Sequence, residues 1–167
     1  MLASLRPLVR GAELDHVAVA VRSLAAGAEL FRDVLGAQFL MGAETPQAFR
    51  FAQYVFPGGG VVELVSPMGD GFVSRFLERR GEGVHHVTLK VTGIEDQVER
   101  LREAGVPLTL VNLENPGWKE AFIHPSHAHG VLVQLAESRY SREESARHLS
   151  ERFPEAALLE EAQPGTS

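Results

Sequence analysis

Four side chains in this sequence can donate to a metal ion, and they recur in pairs. His16 stands near the start of the alternating run Leu14-Asp15-His16-Val17-Ala18-Val19-Ala20-Val21, and His86 stands likewise in Val84-His85-His86-Val87-Thr88-Leu89-Lys90-Val91. A second echo matches Val62-Glu63-Leu64-Val65 to Val133-Gln134-Leu135-Ala136. Imidazole nitrogen, carboxylate oxygen and amide oxygen together suit a hard or borderline divalent ion such as Co, Mn, Ni, Zn, Mg or Fe. A duplicated module that brings one pair from each half together would build a four-ligand site from His16, Glu63, His86 and Gln134. An unpaired carboxylate in an apolar strand is costly to bury, so Glu63 calls for a metal or an ion pair. Gln134 alone would read as a hydrogen-bonded core amide, and its match to Glu63 is what makes it a candidate ligand.

Other conspicuous residues read as structural. His85 faces away from His86, because strand neighbours point to opposite sides. His124, His127 and His129 read as a loop between strands, and Gly58-Gly59-Gly60 as a hairpin turn without the Lys-Ser/Thr of a phosphate loop. Trp118, beside Pro116-Gly117, either lids a cleft or fills a gap beneath its loop.

The repeat sets the elements that must position these residues. Ser23 is a candidate N-cap for a helix through Leu24, Ala28, Phe31 and Leu35, stopped by Gly36. Ile94, Val98 and Leu101 repeat that spacing before Gly105. Each helix is followed by three strands, expected near 37–42, 49–56 and 60–66 and near 106–111, 119–124 and 130–136. Each half therefore reads βαβββ. One helix cannot cover a four-stranded sheet, so the expected α+β fold pairs two modules into a curved, incomplete barrel-like mixed sheet with helices outside. The expected domain spans 1–137, with modules 13–66 and 84–137 and a linker 67–83 holding a short amphipathic helix at Phe72, Phe76 and Leu77. A helical tail follows at 138–167, starting at Ser141-Arg142-Glu143-Glu144 and broken by Pro154, with no core-forming pattern after Gln163.

Bulk properties narrow the function. The 167 residues carry a formal charge of −6, which disfavours a nucleic-acid partner. No apolar run reaches the length of a membrane span. The absence of cysteine excludes disulfides and thiolate ligands and fits a reducing compartment, so a cytoplasmic protein is expected. Leu2, Leu5 and Leu8 beside Arg6 and Arg10 read as an N-terminal arm or short helix, since Pro7 breaks any signal-like apolar core.

Several motifs occur in order: Asp15-His16, Leu35-Gly36-Ala37, Val62-Glu63-Leu64 before Pro67, Gly83-Val84-His85-His86-Val87, Phe122-Ile123-His124-Pro125 and Gly130-Val131-Leu132-Val133. Together they resemble the vicinal oxygen chelate superfamily of glyoxalase and bleomycin-resistance proteins, and within it methylmalonyl-CoA epimerases. The resemblance implies a homodimer, a small-molecule partner that is an acyl-CoA in the epimerase case, and metal-assisted proton transfer next to a carbonyl. It leaves as alternatives another glyoxalase-type lyase or isomerase, a ring-cleaving dioxygenase, or a resistance protein that binds without catalysis. Two departures stand out. Epimerases usually have glutamate where this chain has Gln134, and they carry a glutamate base on the third strand of the first module. That strand here, Phe49 to Phe56, contains no carboxylate; the nearest acids are Glu44 before it and Glu120 on the corresponding strand of the second module, and Glu120 is the first candidate base. The competing reading of Glu120 is a solvated residue paired with Lys119.

Overall fold

Alternating apolar residues form strands and 3.6-periodic ones form helices in both halves of the chain, in the order the repeat predicts. The computed structural model describes residues 7–160. Leu2, Leu5 and Arg6 of the arm and the segment after Gln163 lie outside the described residues. The strands are β1 (Glu13–Ala20), β2 (Gln38–Glu44), β3 (Phe49–Val55), β4 (Val61–Pro67), β5 (Gly83–Lys90), β6 (Leu108–Asn112), β7 (Lys119–Ile123) and β8 (Val133–Glu137). The α-helices are α1 (Leu24–Ala28), α2 (Phe72–Arg80), α3 (Ile94–Glu103), α4 (Arg142–Arg152) and α5 (Glu155–Leu159). These eight strands and the helices give an α+β fold, and the sheet pairing is mixed. Among the described residues no helix is long and apolar enough to cross a membrane.

Contacts divide the chain into two compact units, one of residues 16–85 with the tail from Ser141, the other running up to Asp15 and resuming at 86–140. In the first unit β1 runs parallel to β4, and β2, β3 and β4 are successively antiparallel. The other repeats this plan, with β5 parallel to β8 and β6, β7 and β8 antiparallel. Even the irregularities match: the β2–β3 register shifts between Phe39 and Met41, and the β6–β7 register between Leu108 and Leu110. Such bulges insert an extra residue and bend the strand.

Burial follows the sequence pattern. Leu24 and Ala28 of α1 meet Ala52, Tyr54, Val62 and Leu64 in the first core, while Val65 of β4 points the other way, onto Val73 and Leu77 of α2. β4 is thus covered on both faces, which explains its apolar run. In the other unit Ile94, Val98 and Leu101 of α3 pack on Ala121 and Leu135. The described part of the N-terminal arm joins that unit: Val9 packs against the core, the Arg10 backbone pairs in both directions with the Gln97 amide, and Arg100 donates to the Leu8 carbonyl.

One stretch differs from simple expectation. The first helix keeps its Ser23 cap, but after Ala28 it widens into a π-helical stretch at Glu29–Val34, where the Leu35 N–H reaches back five residues to the Leu30 carbonyl. The wider turn delivers the chain to Gly36 at φ 76°, a left-handed conformation that suits glycine. The tail begins as predicted, with Ser141 and Glu144 forming a capping box, and it packs on the body of the first unit. α4 and α5 pack on β2, and Leu158 is buried in the first core.

Candidate functional site

In the first unit, the parallel pairing of β1 and β4 sets Glu63 opposite Ala18, two residues along from His16. Both His16 and Glu63 are buried, and His16 Nε2 lies 3.5 Å from Glu63 Oε2. The antiparallel register of β3 and β4 sets Gln53 directly across from Glu63, and Gln53 Nε2 donates to Glu63 Oε2 at 2.7 Å. A carboxylate accepts only, so this bond fixes which end of the amide faces it. The amide oxygen must then face elsewhere. Gln53 is 5% exposed, and its Oε1 is buried with no hydrogen-bond partner among the described residues.

The other unit also joins an amide to a carboxylate, but in a different register: Phe122 lies directly across from Gln134, and Glu120 is two residues along β7. β5 sets Thr88 opposite Gln134 of β8, and Thr88 Oγ1 donates to Gln134 Oε1 at 2.6 Å. Gln134 Nε2 in turn donates to Glu120 Oε2 of β7 at 2.7 Å. Trp118 Nε1 donates to the same oxygen at 3.1 Å, so the indole holds a carboxylate in place. In one unit the carboxylate is on the last strand with the amide directly across; in the other the amide is on the last strand and the carboxylate reaches it diagonally, past Phe122. Ala18 occupies the place of Thr88, so the hydroxyl that engages Gln134 has no counterpart beside Glu63. His86 is buried in β5, edge-on to Phe122 at 6.1 Å between ring centroids.

The remaining candidates fall where their chemistry takes them. His85 sits against Phe72 and Phe76, with ring centroids 5.4 Å and 4.8 Å away. Burial pushes its imidazole below the usual range, and the Glu63 charge opposes that shift. His124 Nδ1 and His127 Nδ1 lie 2.7 Å and 2.8 Å from the Ser126 hydroxyl, within an exposed loop. Lys119 pairs with Glu95 of α3, not with Glu120. That removes the ion-pair reading of Glu120 and leaves it bonded to Gln134 and Trp118.

Gln53 and Thr88 were not singled out from sequence. The signal for Gln53 was the tight turn from Pro57 to Gly60. Once β3 and β4 are read as a hairpin about that turn, residues equidistant from Gly58 must pair, and 53 meets 63.

The donor set suits a divalent ion. Histidine nitrogens, a carboxylate and an amide oxygen offer borderline and hard ligands without thiolates. A carboxylate and an uncommitted amide oxygen buried side by side are more easily explained beside a cation than in an apolar core.

Residues 15–122 match the glyoxalase/bleomycin resistance protein/dioxygenase superfamily. The chain is 34% identical over 130 residues to the uncharacterized protein YqjC of Bacillus subtilis, covering 75% of this chain and 92% of that protein. It is 32% identical over 129 residues to an ethylmalonyl-CoA/methylmalonyl-CoA epimerase of Cereibacter sphaeroides, covering 73% of this chain and 95% of the enzyme. The crystal structure of methylmalonyl-CoA epimerase from Mycobacterium tuberculosis superposes with a TM-score of 0.71 at 32% identity, over 84% of this chain and 94% of that one. The paired βαβββ plan, the ordered motifs and these likenesses agree: the chain belongs to the glyoxalase/bleomycin resistance protein/dioxygenase superfamily and is related to methylmalonyl-CoA epimerases.

Proposed function

We propose that this protein is a divalent-metal-dependent enzyme that moves a proton next to the carbonyl of an acyl-CoA, as an epimerase or isomerase does. His16, Glu63, His86 and Gln134 would hold the ion. The observation that carries this reading is that His16 and Glu63, both buried, bring a ring nitrogen and a carboxylate oxygen together within one unit. The His16–Glu63 separation of 3.5 Å also suits two ligands of one ion, since bonds of about 2 Å at a tetrahedral angle separate ligand atoms by roughly 3.4 Å. Gln134 would contribute through Oε1, whose second lone pair remains beside the Thr88 bond.

A bound ion supplies electrostatic stabilisation of the negative charge that builds on substrate oxygen when the adjacent C–H bond breaks. The chain supplies the proton acceptor. Glu120 takes the proton from carbon, the bonding pair moves into the carbonyl to give an enolate, and the carbon is reprotonated to restore the acyl group. Gln134 and Trp118 hold Glu120 Oε2, so the carboxylate meets the substrate already oriented. Inversion needs a second donor on the opposite face. A second reading, binding of a small molecule without turnover, is favoured by one observation: β3 offers the Gln53 amide and no carboxylate.

The same reading takes residues 1–137 as one domain of two modules with a helical tail, in a cytoplasmic homodimer. The decisive experiment is proton exchange in heavy water on methylmalonyl-CoA, with metal content measured alongside. Metal-dependent exchange that Glu120→Gln abolishes while the ion is retained supports the reading. Metal binding with no exchange supports the binding protein instead.

A further inference from the structure

Gln53 carries a burden that its strand position alone does not explain. The other buried glutamine at a carboxylate pair, Gln134, has both ends of its amide engaged, by Thr88 and Glu120. Gln53 has only its nitrogen engaged, by Glu63. A buried acceptor without a donor is destabilising. Methionine would fill nearly the same volume without an orphaned acceptor, though it would remove the donor to Glu63. The residue is kept polar at a position where the fold itself has no use for its oxygen.

We propose that Gln53 is a positioning residue of the metal centre. The proposal rests on the reading that Glu63 is a ligand. The amide N–H holds Glu63 Oε2 toward His16 Nε2, so the carboxylate does not have to be reoriented when an ion arrives. The amide oxygen, facing away from Glu63, accepts a hydrogen bond from a water bound to that ion. Outer partners of this kind orient the ligand, and removing one weakens metal binding by about 10–100-fold. The role is distinct from that of a base, because an amide takes no proton at neutral pH.

The test compares the wild-type chain with Gln53→Met and Gln53→Glu, titrated with Co²⁺ against a competing chelator. Binding constant, visible Co²⁺ absorption and the melting temperature of the metal-free protein are read on each. Gln53→Met removes both hydrogen-bonding ends at nearly constant volume. It should shift the absorption bands and weaken Co²⁺ binding at least tenfold, by more than any lowering of the metal-free protein's melting temperature accounts for. Gln53→Glu keeps an acceptor but sets a second carboxylate against Glu63. It should displace Glu63 in the metal-free state, lower its melting temperature and alter the Co²⁺ spectrum. Wild-type affinity and spectrum in Gln53→Met would overturn the positioning role while leaving the metal site standing. Failure of the wild type itself to bind Co²⁺ would overturn both. A Gln53→Met chain that binds weakly only because it melts lower would mark Gln53 as structural and also overturn the role.

Discussion

Gln134 bridges β5 and β7: its amide oxygen accepts from Thr88 at 2.6 Å and its amide nitrogen donates to Glu120 at 2.7 Å. The bridge ties a candidate ligand to the candidate base through one rigid planar group. Movement of either is therefore felt by the other.

This coupling is measurable. Gln134→Glu sets two carboxylates against each other and should cost about 1–3 kcal/mol of stability in denaturant unfolding. Glu120→Gln alone removes one charged acceptor. The exchanged pair, Glu120→Gln with Gln134→Glu, restores a carboxylate–amide bond, so the double variant should be more stable than the sum of the single changes predicts. Strict additivity would show that the two side chains do not interact in solution.

The histidines carry the metal prediction. Wild-type protein purified without a histidine tag should hold about one divalent ion per chain, and His16→Ala/His86→Ala should hold none. Added metal should raise the melting temperature of the wild type and leave the double variant unchanged, because a ligand stabilises only the state that binds it. Equal shifts in both proteins would place the ion elsewhere.

Tyr54 predicts a pH dependence. Its hydroxyl donates to Glu155 Oε1 at 2.9 Å, an oxygen that also accepts from Arg32 at 2.7 Å. Burial, then the Glu155 bond, raises the phenol above its ordinary value of 10. The folded state thus keeps its proton where the unfolded chain has lost it. The stabilisation is complete below pH 10 and declines as pH rises through the unfolded value toward the folded one. Tyr54→Phe should lower stability at neutral pH by about 1–3 kcal/mol and flatten that alkaline decline. An unchanged slope above pH 10 in the variant would disprove the assignment.

Gly42 tests the docking of the tail. A Cβ there would collide with Leu158 Cδ1 and lie 2.5 Å from the Phe51 carbonyl oxygen. Gly42→Ala should therefore destabilise by about 1–3 kcal/mol through overpacking. Leu158→Ala should cost about 2–5 kcal/mol through lost burial. If the Gly42 change is silent in thermal unfolding, α5 is not seated where this contact requires.

The duplicated sheet plan was legible because it is written in local signals. Alternation, glycine stops and the Ser23 and Ser141 caps each depend on a few adjacent residues. The candidate ligands were picked out by the echo of His16 in His86 and of Glu63 in Gln134. What the sequence hid was partnership between strands. Lys119 chose Glu95 over its neighbour Glu120 because successive strand residues face opposite ways. The tail gave no sign that Leu158 would enter the first core, since a five-residue helix with one buried leucine carries no periodic pattern. The π-helical widening after Ala28 was likewise invisible, because Leu24, Ala28 and Phe31 also satisfy an ordinary helix.

The docked tail makes the duplication unequal. α4 and α5 cover β2 and drive a leucine beneath it, whereas β6, its counterpart, gains no such cover from them. Two repeats with the same strand pairing therefore differ in how readily they open. In native-state hydrogen exchange the amides of β6 should open at lower free energy than those of β2, and opening of β6 exposes β7, where Glu120 sits. The unit that carries the candidate base would then be the more pliable one, and its partner repeat the anvil.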